Sequence, residues 1–319
     1  MNTQEHPKEH DVTAELSIEV LEDPYVTDPG LRMSVDVAAA THTGHVRPNN
    51  EDHYLIIRFE RSLQNVSTNL DRRLLARSYD LGGYVLLVAD GLGGMAAGEL
   101  ASSTALTKLV ELVVDTPDWI LDLKEKEHSD TVIKRMTDRF FLIDETLREQ
   151  AELDHSLRGM GTTLTVAGIL GKDLVLGHIG DSRAYLLRGD SFTQLTTDHT
   201  LAQALIDAGI VDREEPASRS MRHVLTSALG SPGGRMKPEV RRAQLDFKDQ
   251  LLLCTDGLTE MVDDKAISSL LRNAPSAEKA CQDLITVALA AGGVDNITVA
   301  LARFDNPEAA STVAGTQNA

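Results

Sequence analysis

Apolar and polar positions alternate along this chain in blocks of two different periods. Short continuous apolar runs, rich in β-branched and aliphatic residues, read as buried strands: "MSVDVAAATH" from Met33, "DHYLIIRF" from Asp52, "YVLLVA" from Tyr84 to Ala89, "TTLTVAGIL", "DLVLGHIG", "SRAYLLRGD", "PEVRRAQLDF", "DQLLLCTD" and "NITVALARF". Between them lie helical patterns. After Asp90, Leu106, Leu109, Val110 and Val113 keep the i, i+3, i+4, i+7 spacing of one apolar stripe. A second helix is expected from about Thr131 to Asp154, with Ile133, Met136, Phe140, Ile143 and Leu147 near one face. Another is expected from about Asp264 to Asn273, with a further helix before the last strand. Strands come in runs and helices in two pairs, which fits a layered α+β domain better than strictly alternating βαβ units. The polar segment from Glu60 to Gly83 reads as a long loop or a short helix covering a sheet edge.

Several apolar runs end on a carboxylate. Asp90-Gly91 closes "YVLLVADG" and Asp256-Gly257 closes "LLLCTDG". An Asp-Gly pair alone is a favoured hairpin turn, because both residues tolerate positive φ. Here a helical pattern follows each pair instead of a returning strand, so both acids sit at strand-to-helix junctions on the rim of a rigid scaffold. Glu51 and Asp52 begin the second strand, Asp181 follows a strand and a glycine, and Asp295 leads into the last strand behind two glycines.

Charge and composition narrow the partners. The 319 residues carry 31 basic and 49 acidic side chains, a net charge of −18, which argues against nucleic acid or an anionic membrane. Residues 1–30, with eight acids and one lysine, read as a mobile or loosely docked acidic tail. The small polar residues 305–319 read as a disordered C-terminal tail, which leaves 31–304 as the folded domain. "MNTQEHPKEHDVT" has no apolar signal-peptide core, and no run approaches the ~20 apolar residues needed to cross a bilayer. Cys254 and Cys281 fall inside strand and helix patterns and read as buried hydrophobes in a reducing, cytoplasmic compartment.

Carboxylates that converge in a partly dry site repel one another, and a bound cation is the usual compensation. With only oxygen donors and no Cys/His cluster at zinc spacing, the fitting ions are hard Mg²⁺ or Mn²⁺. Two such ions roughly 3.5–4 Å apart suit in-line displacement at phosphorus, with an activated water attacking. Gly91, lacking Cβ, lets its carbonyl come close to an ion. Arg47, five residues before Asp52, offers a planar fork to a phosphate.

In order along residues 33–304, "GHVRPNNEDHYL", "VADGLGGMAAGELAS", "GMGTTLTVAGI", "GDSRAYLLRGDSFTQLTTDHT", "HVLTSALG", "LLLCTDGLTEMV" and "GGVDNITVAL" resemble the metal-dependent Ser/Thr protein phosphatases of the PPM, or protein phosphatase 2C, family in its bacterial form. The resemblance implies a four-layer αββα sandwich, two antiparallel sheets flanked by helix pairs, and a binuclear Mn²⁺/Mg²⁺ centre. It implies that Asp90 bridges both ions, that the Gly91 carbonyl binds one, and that Asp256 and Asp295 hold the other. One of Glu51 and Asp52 would contact a metal or its waters. Arg47 would grip the substrate phosphate. Asp181, with Asp256, would help hold a third ion, and residues 199–237 would form a flap beside the site. The substrates so implied are phosphoserine and phosphothreonine proteins made by a Ser/Thr kinase.

Two positions depart from common family patterns: Leu92 replaces a histidine proposed as a general acid in many eukaryotic members, and Met95 stands where many bacterial relatives have His. His45 and His199 are the remaining candidates for that acid within the matched motifs. A catalytically dead phosphatase fold serving as a binding module would be marked by lost metal-binding acids, and none is lost. A two-metal nuclease would need a basic groove, and residues 31–304 are net acidic with no evident basic stripe.

Overall fold

The structure is a computed structural model that describes residues 33–63, 79–93, 95–116, 126–212, 215, 220–231 and 236–305. The acidic N-terminal tail and all but the first residue of the expected C-terminal tail lie outside the described residues. Asp305 itself still belongs to the last strand.

Ten of the strands form two five-stranded antiparallel sheets. The first has β1 (Ser34–His42) at one edge, then β12 (Ile297–Asp305), β11 (Gln250–Cys254), β8 (Arg183–Arg188) and β9 (Ser191–Gln194). The second runs β10 (Glu239–Gln244), β7 (Asp173–Ile179), β6 (Leu164–Leu170), β3 (Tyr79–Ala89), β2 (His53–Leu63). A two-residue pair joins β4 (Gly91–Leu92) to β5 (Gly161–Thr162). Helices α1 (Met95–Asp115) and α2 (Lys126–Leu153) cover one sheet; α5 (Asp264–Asn273) and α6 (Ala277–Ala290) cover the other. Short α3 (Leu201–Asp207) and single-turn α4 (Asp256–Thr259) lie near the strand ends.

The central strands are apolar on both faces because both faces are buried. On β3, Leu87 and Ala89 pack against α1 and α2, while Leu86 and Val88 pack between the sheets. On β11, Leu252 and Cys254 face α5 and α6, while Leu251 and Leu253 meet the opposite sheet. The period-2 alternation of strands thus separates three cores and produces four layers. The α2 stripe is Val132, Met136, Phe140, Ile143 and Leu147, all buried; Val132 heads it in place of the expected Ile133, which is only half-buried. Phe140 is fully buried, so Phe140→Ala is expected to cost about 3–5 kcal/mol, read as the shift in a urea unfolding midpoint.

One element differs from the sequence reading. Residues 60–63 and 79–83, expected in a loop or short helix, are strand: β2 and β3 stay in register from His53↔Ala89 to Leu63↔Tyr79. An edge strand needs no apolar outer face, so polar side chains hide it from a pattern search, and backbone pairing to β3 decides the conformation. Residues 64–78 lie outside the described residues.

Antiparallel pairing brings the acids together. His53↔Ala89 sets the start of β2 beside the end of β3, so Asp52 lies next to Asp90. Cys254↔Val299 does the same for the end of β11 and the start of β12, which carry Asp256 and Asp295. Cys254↔Arg183 adds the start of β8, which follows Asp181.

Candidate metal centre

Asp90 follows β3, and its backbone is held from three sides. Its N–H donates to Thr163 Oγ1 at 2.9 Å, and its carbonyl accepts from the Thr163 N–H and from Thr162 Oγ1, both at 2.9 Å. Thr163 Oγ1 also meets Ser182 Oγ at 2.7 Å, tying this corner to the loop that carries Asp181. One carboxylate oxygen from each of Asp90, Asp181 and Asp256 lies within 4.8 Å of the other two. Burial pushes the Asp90 carboxyl well above the ordinary range, and the charges of Asp52, Asp256, Asp181 and Asp295 add to it. Asp181 is raised for the same first reason, then by Asp256.

Asp52 is the buried member of its pair. Its Oδ2 accepts from Thr255 Oγ1 at 2.8 Å, while its Oδ1, also buried, has no hydrogen-bond partner. Burial raises its pKa to about 7, against the lowering effect of Thr298 and Thr255. Burial, then Glu260 and Asp295, raise Asp256 likewise. Glu51 is set apart: its backbone carbonyl accepts from Ser102 Oγ of α1 at 2.6 Å, and its carboxylate fills the space a Cβ on Gly98 would take. Asp295 lies at the outer side, 28% exposed, with Oδ2 accepting from Arg47 at 2.6 Å.

This chemistry fits divalent cations. Protein oxygens surround the centre, a carboxylate oxygen is buried without a donor, and the acids press each other's pKa upward. Asp52, Asp90, Asp181 and Asp256 share one electrostatic neighbourhood, and the charge of Asp295 reaches Glu51, Asp52, Asp90 and Asp256. Gly91 has a packing reason beyond its carbonyl: a Cβ there would lie 2.2 Å from the backbone oxygen of Gly98. Gly91→Ala is therefore expected to destabilise the fold by about 1–3 kcal/mol and to lower activity, measured by thermal melting beside a phosphopeptide assay.

The flap is described in part. Thr200 caps α3 through the Gln203 N–H, Gly230 N–H donates to Asp144 of α2 at 2.8 Å, and isolated bridges pair Thr200 with Leu225 and Thr162 with Leu229. One contact was not read from the sequence: His223 Nδ1 of the flap lies 2.8 Å from Glu260 Oε1, and a ligand atom of each lies within 4.8 Å of Asp256. Neither residue ends an apolar run, which is why pattern reading passed over them. His199 accepts the Gly180 N–H on Nδ1 at 3.1 Å and sits with its ring 5.0 Å from buried His178, so it braces the Asp181 loop. His45 is exposed and held by its N–H to the Gly293 carbonyl. Leu92 is half-buried in β4, and the side chain of Met95 lies outside what the structure describes.

With that geometry, the comparisons with known proteins are decisive. The family model for protein phosphatase 2C matches residues 67–292. The chain belongs to the protein phosphatase 2C family. Among relatives, the Ser/Thr protein phosphatase PstP of Mycobacterium tuberculosis is 36% identical over 265 residues, covering 83% of this chain and 44% of PstP; the chain thus spans less than half of that relative's length. Protein phosphatase PhpP of Streptococcus pneumoniae is 32% identical over 278 residues, covering 86% of this chain and 100% of PhpP. The crystal structure of the PstP catalytic domain, in complex with two manganese ions, superposes with a TM-score of 0.66 at 32% identity, covering 86% of this chain and 100% of that one. The two-sheet, helix-flanked architecture expected from the sequence is the architecture of this family. No helix among the described residues is long and apolar enough to cross a membrane.

Proposed function

We propose that this chain is a metal-dependent protein serine/threonine phosphatase that hydrolyses phosphoserine and phosphothreonine by direct attack of water. The observation that carries the reading is the meeting of Asp90, Asp181 and Asp256 within 4.8 Å, beside buried Asp52 and the Arg47–Asp295 pair. Asp90, the Gly91 carbonyl, Asp256 and Asp295 would hold two ions, with Asp52 or Glu51 engaging a metal or its waters and Asp181 joining Asp256 for a third. The manganese in the PstP catalytic domain supports Mn²⁺ as an occupant. When bound, such ions supply Lewis acidity, making water nucleophilic at neutral pH and offsetting charge on phosphoryl oxygens.

The chain's own groups do the rest. Thr162 and Thr163 fix the Asp90 backbone, and Thr255 orients buried Asp52. Arg47 bonds Asp295 through one guanidinium nitrogen and is 56% exposed, so the fork has N–H groups to offer a phosphate at the mouth of the site. Leu92 has no proton to give, so protonation of the leaving alkoxide falls to water or to a side chain other than residue 92. Every metal-position acid is present, which supports an active enzyme over a binding module.

Arg47→Ala is expected to raise KM for a phosphothreonine peptide about ten- to a hundredfold while kcat changes less, because a charge-assisted contact to bound phosphate is lost. An unchanged KM would remove Arg47 from phosphate capture. The substrates proposed are phosphoproteins made by a Ser/Thr kinase, and the two buried free thiols support a reducing, cytoplasmic setting. A phosphopeptide assay with and without Mn²⁺, run beside Asp256→Asn, tests the reading; activity indifferent to both would refute it.

A further inference from the structure

Arg47 stands on a loop whose position nothing apolar explains. Val46, Arg47, Pro48 and Asn49 are all exposed, so packing does not hold them. Hydrogen bonds do, and a side chain from outside the loop makes three of them. Asn296, 5% exposed, donates through Nδ2 to the Thr43 carbonyl and to the Asn49 carbonyl, both at 2.8 Å. Its Oδ1 accepts the Glu51 N–H at 2.8 Å, and its own N–H donates to Asp295 Oδ1 at 2.8 Å. Only one orientation of the amide satisfies two carbonyls and one N–H at once, so both donors and one acceptor position are committed to this loop. Thr43 and Asn49 bracket Arg47, and Glu51 follows. The same amide therefore closes the loop at both ends and lashes it to the residue next to Asp295, the partner of Arg47.

We infer that Asn296 is the positioning residue for phosphate capture: it acts through Arg47, holding the 43–51 loop so that the guanidinium stays over the acidic centre. An exposed arginine has many rotamers, and a loose loop would multiply them; anchoring the backbone on both sides removes that freedom before substrate arrives. Two further features set the same loop against the same segment: the His45 N–H donates to the Gly293 carbonyl at 2.6 Å, and a Cβ on Gly44 would lie 2.2 Å from the backbone carbonyl oxygen of Asp295. Glycine at 44, with φ +81°, is thus required both by conformation and by the closeness of the two segments. Within the loop, Asn50 adds a brace of its own, donating through Nδ2 to Thr41 Oγ1 at 2.7 Å and accepting the Asp52 N–H on Oδ1 at 3.2 Å, but it is Asn296 that ties both ends to the segment carrying Asp295.

The inference rests on the phosphatase reading, and the test separates the two. Arg47→Ala, Asn296→Ala and the double variant are assayed on a phosphothreonine peptide at saturating Mn²⁺, and hydrogen exchange of segment 43–51 is followed in the wild type and in Asn296→Ala. Asn296→Ala is expected to raise KM about tenfold with a smaller change in kcat, and to raise it less than about twofold once Arg47 is already alanine. Exchange of segment 43–51 should quicken at least about tenfold while β12 keeps its protection. An equal KM effect with and without Arg47, or unaltered exchange of the loop, would overturn the inference. If the alanine variant does not fold, Asn296→Asp, which keeps the acceptor for Glu51 and loses both donations, carries the same cycle. Wild-type protein inert on the peptide would defeat the phosphatase reading instead; the exchange comparison would still decide whether Asn296 anchors the loop.

Discussion

Asp256→Asn is expected to cut Mn²⁺-supported turnover of a phosphothreonine peptide by at least about 10²–10³-fold while leaving the fold intact. Asp256 opens α4 at the end of β11, within 4.8 Å of Asp90 and Asp181 on one side and of His223 and Glu260 on the other. No other acid belongs to both groups. The amide keeps the size and the helix-start position, so the local backbone has no reason to move. What it loses is a charge, and that charge is destabilising without metal: burial, Glu260 and Asp295 all push the Asp256 carboxyl upward. The metal-free variant should therefore melt higher than metal-free wild type, by about 2–4 °C for each kcal/mol of relieved repulsion. Loss of activity combined with a gain in apo stability is the signature of a functional carboxylate. A variant that is inactive because it is unfolded would show the opposite change in melting.

Removal of the metal should have the second large effect. Chelation is expected to abolish turnover, and Mn²⁺ to restore it. The same ions should stabilise the fold, since they bind the native cluster and find no such cluster in the unfolded chain. At a free concentration of one hundred times Kd, each site contributes about 2.7 kcal/mol, enough for a rise in Tm of about 5–10 °C. In Asp90→Asn the rise should shrink sharply, because Asp90 is the acid whose carboxyl feels Asp52, Asp181, Asp256 and Asp295 together. Melting curves with and without Mn²⁺ in both proteins check this; an equal rise in the two would mean that the ions bind elsewhere.

Much of this site was legible because its parts interrupt strong patterns. Asp90 and Asp256 end runs so apolar that a carboxylate there demands a reason, and both strands prove to be buried on two faces. Asp181 and Asp295 stand out against neighbouring glycines. The choice between Glu51 and Asp52 was not legible, since adjacent residues on a strand face opposite ways and the sequence does not say which faces inward. The structure buries Asp52 against Thr255 and lays Glu51 on Gly98. Asn296 was missed because an Asn after an Asp reads as turn chemistry, and its three side-chain bonds reach residues some 250 positions away. The His223–Glu260 contact was hidden for the same reason: it joins a flap to a helix turn, and no local period marks either. Polar strand extensions at 60–63 and 79–83 were obscured because pairing, rather than side-chain pattern, makes them strand.

The clustered acids are expected to hold two divalent ions at once. Equilibrium dialysis of Mn²⁺ against the wild-type chain and Asp90→Asn counts them directly. At least two ions per wild-type chain, with both weakened in the variant, is the expected result; one ion or none in the wild type, or a count that Asp90→Asn leaves untouched, would contradict it.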